Sequence, residues 1–557
     1  MFIGLSIPIP NISNLPGSSR PGGGGGGGDT TSFIMEIDTS IVGSTPNNQF
    51  RLYSAGNTGS PYTIDWGDGS SDVDTTSYDI THTYPASGVY EISITSPYNR
   101  IRMGSVNDRK KITEIKQWGN LSWTTMDYSF AYASNLNITA TDTGDFSDVT
   151  SWSQAFRNNS NLSNLGNYSN WVTSNCTNLF IMFLGCGLSG TFDFTGWNVS
   201  NVTNMGYLLG NNIGITSIDT TGWDVSKVTN FSNAFSGLGQ VTIIGHENWQ
   251  LNTTSNVNLS NLFYAGTQPS SLDPSAWDVS KVTSFSQTFR AALNNVGSID
   301  LSNWDVSSAT SLYIIFGFNM SLTSVGDISG WDVSNVTNLG YLMANCYALN
   351  LPNLSSWDTS SNTNLSNAFS SAGTSSVSGI ENWNTSNVTV VNNCFMHCRS
   401  LNTTAINWDL RKCSSLSQMF RSAYFGNSAF TLNIQTDSTL TNVFGLFLSS
   451  LFDDITIGNN VDFSNVTNFS YMFGSMGNLS LTLPANFSFA SGTNFTQFLT
   501  GTTLSSSDYN TLLIYIEASN QNNNISFDAP TCVATGAGLT ARNALINDHS
   551  WTINDNS

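Results

Sequence analysis

The sequence predicts a mixed α/β solenoid, with one short strand and one short helix per repeat, preceded by a small domain built only of β-strands. Three observations carry this prediction. A unit of about 26 residues recurs fifteen times from Trp118 onward. Residues 31–104 alternate apolar and polar side chains in short runs, which is the pattern of strands. Of the 37 acidic residues, 31 are Asp, which is typical of turns and caps rather than long helices.

The charge balance argues against two classes of partner. The 557 residues carry 17 Lys and Arg against 37 Asp and Glu, a formal net charge of −20. A chain this acidic is repelled by nucleic-acid phosphates and by anionic membrane surfaces. No apolar run reaches the roughly 18 residues that span a bilayer, so we expect neither nucleic-acid binding nor membrane insertion. Seven cysteines are an odd number and too few for a disulfide scaffold, which predicts reduced, buried thiols.

Residues 1–30 differ from the rest of the chain. Met1–Pro10 is apolar and the first basic residue is Arg20, so a standard secretory signal is not predicted. Seven consecutive glycines follow at Gly22–Gly28, and such a run does not hold a packed conformation. We interpret residues 1–30 as an anchor and a flexible linker, with a disordered tail as the alternative.

Residues 31–104 carry a motif that identifies their type of domain. Trp66-Gly-Asp-Gly-Ser70 is followed by Thr81-His-Thr-Tyr84 and then by Gly88-Val-Tyr90. This order and spacing resemble the PKD-type immunoglobulin-like domain, which implies a small β-sandwich with Trp66 and Tyr90 in its core. The same segment holds four carboxylates that are weak candidates for a calcium loop, since Ca²⁺ prefers clustered oxygen ligands, with a purely structural turn as the alternative. These are Asp65, Asp68, Asp72 and Asp74.

Residues 105–503 contain the repeats. Each unit begins at an anchor, most often Trp followed by Asp-Val-Ser-x-Val-Thr-Asn, and has a large apolar residue twelve positions later. Successive anchors are 25 to 28 residues apart. The anchors are Trp118, Gly144, Trp171, Trp197, Trp223, Trp249, Trp277, Trp304, Trp331, Trp357, Trp383, Trp408, Gln435, Val461 and Phe487. The tryptophans at 197, 223, 277, 304, 331, 357, 383 and 408 are predicted to be structural repeat residues.

The unit from Trp331 to Trp357 shows the expected local structure. Leu339, Leu342 and Met343 have the spacing of one buried helical face, with Ser334 and Asn335 as candidate caps. After them, Leu349 and Leu351 alternate with a polar residue, which predicts a short strand.

The repeats resemble the BspA-type leucine-rich repeat surface proteins. The resemblance lies in Phe395-x-x-Cys398-x-x-Leu401 and its variants, in the Trp-Asp-Val-Ser-x-Val-Thr-Asn segment, and in the link Ile112–Gly119 after a PKD-like domain. It implies a right-handed solenoid, a place on a cell surface or virion, and adhesion without a chemical reaction.

Residues 504–557 no longer repeat. Ser507–Glu517 and Leu539–Asp548 read as helices and Trp551–Ile553 as a strand, so we expect a C-terminal cap over the exposed core.

Groups that could carry catalysis or bind metal are few. His82 belongs to the PKD-like motif, and Cys394-x-x-His397-Cys398 has the residue types of a zinc site, although the cysteine positions suggest buried thiols. The Trp-Asp carboxylates form a periodic row rather than the differentiated pair that catalysis needs, and we interpret them as helix caps. No cofactor is predicted, Ca²⁺ remaining possible, and we expect that the protein is not an enzyme.

The function predicted from these features is recognition through the solenoid surface. Four tyrosines lie ten residues after their anchors and are expected to lean outward, where a ring can stack on a sugar. They are Tyr128, Tyr207, Tyr341 and Tyr471, with ordinary exposed aromatics as the alternative. The leading hypothesis is a bacteriophage virion adhesin that attaches to other virion proteins through residues 1–28 and binds a host surface glycan or protein. The alternatives are a bacterial cell-surface adhesin and a polysaccharide-degrading tail spike.

Overall fold

The computed structural model describes residues 30–264, 266–373, 377–381, 383–399, 405–425 and 429–557. The anchor and glycine tract predicted for residues 1–28 lie outside these ranges. None of the helices in the described ranges has the length and apolar character that crossing a bilayer requires.

The first part of the described chain is a β-sheet region. Its strands are β1 (Phe33–Asp38), β2 (Gln49–Tyr53), β3 (Tyr62–Asp65), β4 (Ser71–Thr75), β5 (Asp79–Thr83), β6 (Val89–Ile94) and β7 (Ile112–Gln117). The predicted alternation is confirmed in β1, where Phe33, Met35 and Ile37 are fully buried and the residues between them are half-buried. Trp66 is buried as predicted, and Tyr90 is half-buried with its ring 3.9 Å from that of Tyr84.

This sheet continues into the solenoid. The strand order is β4-β3-β6-β1-β7-β8, where β8 is Asn137–Ile138, and β2 pairs separately with β5. β1 is antiparallel to β6 and β7, whereas β7 is parallel to β8. The first coil is therefore built directly onto the N-terminal sheet, and the domain boundary at residue 104 stays a prediction.

From β8 onward the chain forms a β-solenoid of about 17 turns with repeats of about 26 residues. Its further strands are β9 (Ser189–Asp193), β10 (Gly214–Asp219), β11 (Gln240–Ile244), β12 (Val257–Asn258), β13 (Gln268–Pro269), β14 (Val282–Ser284), β15 (Ala405–Ile406), β16 (Ala429–Leu432), β17 (Asp454–Ile457), β18 (Gly477–Thr482) and β19 (Thr502–Leu504). Strands of successive coils pair in parallel, as β9, β10 and β11 do. Elsewhere single parallel bridges join the coils, such as that between Asn338 and Asn364.

The short helix predicted in each repeat is wrong. Leu339, Leu342 and Met343 are buried as predicted, but they lie in a series of turns. In the described part of the chain both α-helices belong to the C-terminal cap, and the other helical pieces are four short 3₁₀ turns at Met103–Ser105, Asn107–Lys111, Tyr168–Asn170 and His246–Asn248. Each repeat contains residues with left-handed backbone torsions, which an α-helix of L-residues excludes.

The anchor tryptophans form a stacked row inside the solenoid. Trp331 lies between Trp304 and Trp357, with ring centroids 6.3 and 6.2 Å away. Its indole nitrogen donates to the carbonyl of Leu301, three residues before the anchor Trp304, at 3.1 Å, which satisfies the one polar atom of the buried ring. The same kind of bond is made by Trp197, Trp223, Trp277, Trp304, Trp357, Trp383 and Trp408.

The C-terminal cap contains the two predicted helices and the predicted last strand. Its elements are α1 (Ser506–Ser519), β20 (Ser526–Ala529), α2 (Gly536–His549) and β21 (Thr552–Asp555). Phe527 bridges to Phe495 of the last coil, and Leu512, Leu513 and Ile516 of α1 are fully buried. The cap thus covers apolar side chains that a further coil would otherwise cover.

Candidate ligand-binding face

Each coil carries a compact turn segment at positions 8 to 14, where a position is the number of residues after the anchor. Among the described residues, positions 10 and 14 have positive φ, as in Tyr341 at 54° and Asn345 at 59°. In the unit of Trp249 the segment lies two residues later. At position 10 the residues are Tyr128, Gln154, Ile181, Tyr207, Asn233, Asn261, Gln287, Ile314, Tyr341, Asn367, Asn393, Gln418, Gly445, Tyr471 and Gln497. Most are not glycine, so the backbone is held in this conformation by the fold.

Hydrogen bonds between coils hold the turn segment. The N–H groups at positions 8, 10, 12 and 14 donate to carbonyls at positions 7, 9, 11 and 13 of the next coil. In the coil of Trp331 the bonds are Leu339 to Asn364 (3.1 Å), Tyr341 to Ser366 (2.8 Å), Met343 to Ala368 (3.0 Å) and Asn345 to Ser370 (2.8 Å). All four N–H groups point along the solenoid in the same direction.

The hydrogen bonds between coils do not use the N–H group at position 9, and the asparagine at position 7 accepts it. The Oδ1 atom of Asn338 accepts from the N–H of Gly340 at position 9, at 3.0 Å. Asn364 and Asn468 make the same contact two residues on, at 2.9 and 3.1 Å. The Asn of the Val-Thr-Asn segment therefore starts the turn segment through an Asx turn, which explains its recurrence.

Positions 9, 10, 13 and 14 together form one surface of the solenoid, here called the turn face. The four predicted tyrosines lie on it at position 10, half-buried, with φ between 54° and 58°. The structure does not bring them together. Tyr207 is three coils beyond Tyr128, and Tyr341 and Tyr471 follow at intervals of five coils, so each could meet a ligand only locally.

Three of these tyrosines have aromatic partners that the sequence analysis missed. Each partner is half-buried and lies at position 9 of the preceding coil. Tyr207 packs against Phe180, Tyr341 against Tyr313 and Tyr471 against Phe444, with centroids 6.4, 5.8 and 5.6 Å apart in edge-to-face geometry. The sequence signal was an aromatic at position 9 directly before a coil with tyrosine at position 10.

Arginines on the turn face were also missed. The guanidinium groups of Arg157 and Arg109 both lie over the ring of Tyr132, 5.3 and 5.2 Å from its centroid. Arg290 lies between Tyr264 and Phe318, at 4.9 and 5.0 Å. Contact with aromatic faces fixes the direction of these guanidinium groups.

The Trp-Asp carboxylates do not cap helices. In the turn that follows each anchor, the Asp accepts the N–H of the residue two positions on, as Asp224 does from Ser226 at 3.0 Å. This hydrogen bonding lowers the pKa of Asp224, and Asp278 and Asp358 are lowered for the same reason. The row is therefore a set of Asx turns with matching surroundings.

The candidate zinc ligands do not share one environment. Cys394 and Cys398 are fully buried, whereas His397 between them is exposed on the turn face with a φ of 57°. Burial raises the pKa of the Cys394 thiol, so it is protonated at neutral pH. All seven cysteines are buried and none forms a disulfide.

The four carboxylates near Trp66 that were candidates for a calcium loop serve separate contacts. Asp65 accepts the N–H of Gly67, Asp72 accepts from the Trp66 indole, and Asp68 binds Ser70 and the Nε2 atom of His82 at 2.9 Å. Asp74 stands in the left-handed region with a φ of 54°. Across the described ranges, no three His, Cys, Asp or Glu residues come together as metal ligands would.

A comparison with protein families places the repeats in a known group. The model of DUF285, described as a Mycoplasma protein of unknown function, matches residues 102–205, 150–272, 257–378 and 363–487. Together these matches cover more than half of the chain. No curated protein and no solved structure matches the chain.

Proposed function

The chain belongs to the DUF285 family, and on that premise we propose that it is a non-enzymatic adhesin, which binds a glycan or protein of a host surface through the solenoid. The observation that carries this proposal is the turn face itself. It presents a half-buried aromatic pair once in every five coils, and amide side chains at position 10 of many of the other coils. Aromatic edges and faces suit sugar rings, and amides both donate and accept hydrogen bonds.

The state of the carboxylates supports binding rather than catalysis. Acid-base catalysis needs two groups whose surroundings move their pKa values apart. Here Asp224, Asp278 and Asp358 each accept the N–H of the residue two positions further on, and the pKa of each is shifted downward. Such a row maintains the turns and offers no group that would be protonated at neutral pH.

We place the adhesin on a virion, because an apolar segment followed by seven glycines at residues 22–28 suits attachment to a particle through a flexible link. A bacterial cell surface is the second candidate, and the family's description as a Mycoplasma protein favours it. Antibody labelling separates the two settings. Label on purified particles supports the first, and label on uninfected cells supports the second.

The binding role is tested with the labelled full-length protein on a panel of bacterial cells. We expect saturable binding to some strains, and a loss of at least about tenfold when Tyr207, Tyr341 and Tyr471 are all changed to Ser, because each aromatic contact contributes about 0.5–1.5 kcal/mol. The control changes Tyr78, which is exposed and lies in the N-terminal sheet region, to Ser. If the protein binds saturably to none of the strains, the proposal is overturned.

The enzymatic alternative has its own measurement. Purified protein is incubated with capsule and lipopolysaccharide from a strain that it binds, and reducing ends are counted. We expect no increase over buffer. An increase that disappears on heat denaturation would establish a degrading spike instead.

A further inference from the structure

A seven-residue motif recurs at a far longer interval than the repeat. Ser-x-Ser-Gln-x-Phe-Arg occupies residues 151–157, 284–290 and 415–421. The intervals are 133 and 131 residues, which is five coils each time. Tyr207, Tyr341 and Tyr471 follow the same period, at 134 and 130 residues. The turn face is thus organised in groups of five coils.

We propose that these groups form three related sites for the oxyanion groups of a linear acidic polysaccharide, each centred on the arginine of the motif. This rests on the proposed adhesin function and specifies its ligand class. The three arginines are Arg157, Arg290 and Arg421. Each has an aromatic pair about one to two coils further along the turn face, where the adjoining sugar would lie.

The three arginines have the same local geometry. In each, Nη1 donates to the Oε1 atom of the glutamine three residues earlier, at 2.8, 2.8 and 2.9 Å. Arg157 and Arg290 are further held against aromatic rings. One donor of each guanidinium group is therefore used for orientation, while others remain for a carboxylate, sulfate or phosphate.

In the described part of the chain these arginines lack a carboxylate partner, as do Arg100, Arg102 and Arg109 near the first coil. Elsewhere in the chain, Arg51, Arg411 and Arg542 form ion pairs with carboxylates. The Nε atom of Arg157 is buried without a hydrogen-bond partner. No neighbouring carboxylate neutralises these three guanidinium groups, so their positive charge remains available to a ligand.

The distribution of acidic residues leads to the same conclusion. Between residues 118 and 504, carboxylates lie within four residues of an anchor, apart from Asp127, Asp453 and Asp454. Only Asp127, at position 9, falls on the turn face, where it accepts from the hydroxyl of Ser151 and the N–H of Ser153 in the first motif. Since charges are screened over about 8 Å at physiological ionic strength, a polyanion at Arg290 or Arg421 meets the local positive charge rather than the net charge of the chain.

The spacing of the sites favours a polymer. Coils are about 4.8 Å apart, so five coils separate neighbouring sites by about 24 Å. A chain long enough to span two sites binds the second one intramolecularly, which strengthens binding without a new type of contact. Affinity should therefore rise steeply once the oligosaccharide exceeds this length.

The test measures binding of polygalacturonate oligomers to the full-length protein by titration calorimetry. Short oligomers are expected to bind with three sites per chain, falling to two in Arg290→Gln and to none when Arg157, Arg290 and Arg421 are all changed to Gln. Long polygalacturonate is expected to lose at least about tenfold in affinity for each site removed. Dextran sulfate and a phosphate-containing teichoic acid distinguish the oxyanion, and neutral dextran should not bind.

The control removes the same charge elsewhere. Lys227, Lys281 and Lys412 lie at position 4, off the turn face, and Lys227 and Lys412 contact asparagines of the preceding coil. Changing all three lysines to Gln should leave the affinity within about twofold, and an equal loss overturns the proposal. The triple Arg→Lys variant keeps the positive charges and serves if the triple Gln variant melts early. Three sites in the Lys variant support the proposal. A number of sites that neither triple change alters contradicts it.

Cell binding separates this inference from the proposed function. If the Arg→Gln triple variant adheres to cells as well as the unchanged protein, the acidic ligand is wrong and the adhesin stands. If polygalacturonate binds at three sites but no cell is bound, the sites stand and the adhesin is wrong.

Discussion

His246 is a buried histidine whose tautomer the structure defines. It is 4% exposed, and its Nε2 atom accepts the N–H of Asp273 at 3.0 Å, so that nitrogen carries no proton. Nδ1 therefore carries the proton and donates to the carbonyl of Ile243 at 2.7 Å. Burial lowers the pKa of His246, although the nearby Glu247 and Asp273 carboxylates act in the opposite direction. The ring joins two coils only while it is neutral.

We predict that acidification weakens the fold at this residue. With the folded pKa below the unfolded value of about 6.5, the unfolded chain takes up the proton first. The contribution of His246 is complete above pH 6.5 and decreases as the pH falls from there towards the folded pKa. Melting temperatures measured from pH 7.5 to pH 5 should show this decrease, and His246→Gln should flatten it. The same slope in the variant would assign the pH dependence to other groups.

At the scale of the element, the turn segment is the unit that defines each coil. Its left-handed positions place four N–H groups along the solenoid axis, and the Asx turn of position 7 supplies the remaining acceptor. Asn233 at position 10 shows the backbone requirement, with a φ of 58° and its N–H bonded to the carbonyl of Ser260 at 3.0 Å.

A β-branched residue at such a position should destabilise the protein. We predict that Asn233→Val lowers the free energy of unfolding by about 1–3 kcal/mol, because Val is strained at positive φ. Asn233→Gly should change it by less than about 1 kcal/mol. Thr221→Val is the control, since Thr221 is already β-branched, is exposed and lies outside the left-handed positions. Thermal melting followed by circular dichroism gives the comparison, and equal losses for the two Val variants would contradict the strain argument.

The contrast between helix and turn segment shows what the sequence could predict. The repeat length, the buried rows and the cap follow from burial, which Trp331, Leu339 and Met343 signal directly. The local conformation does not follow from burial. A series of turns with two left-handed residues buries side chains at the same sequence spacing as one face of a helix. The missed signal was the frequency of Asn and Gly at position 14, as in Asn211 and Gly237, since these residue types favour positive φ.

The candidate site was predictable in part for a related reason. Tyrosines at position 10 were found because one column of the repeat was read at a time. Their partners Phe180, Tyr313 and Phe444 lie in another column of the preceding coil. Contacts between coils join residues about 27 apart along the chain, so they become apparent only when neighbouring units are aligned side by side.

For the whole molecule, the shared direction of the turn-segment hydrogen bonds makes the two ends of the solenoid different. At the first coil, carbonyls of Ser129 and Tyr128 accept from Met103 and Gly104, both at 2.9 Å. At the last coil the N–H groups have no further coil to bond, and Asp528 of the cap receives two of them. Gln497 donates to its side chain and Leu499 to its carbonyl, both at 3.0 Å. A carboxylate at this end also faces the positive side of the aligned peptide dipoles.

Removal of residues 505–557 should therefore convert the C-terminal end into an association site. The deletion exposes Phe495, Phe498 and Leu499, which are fully buried, and leaves the Gln497 and Leu499 donors without the cap. We predict oligomers or aggregates in light scattering and a lower melting temperature, because an open solenoid end offers both apolar surface and unpaired backbone groups. The control deletes residues 197–222, one complete unit, so that Trp223 follows directly on the preceding coil with both ends still covered. That variant should stay folded, with the same association state as the full-length protein. If it aggregates as strongly as the chain without the cap, the instability arises from shortening the solenoid rather than from opening its end.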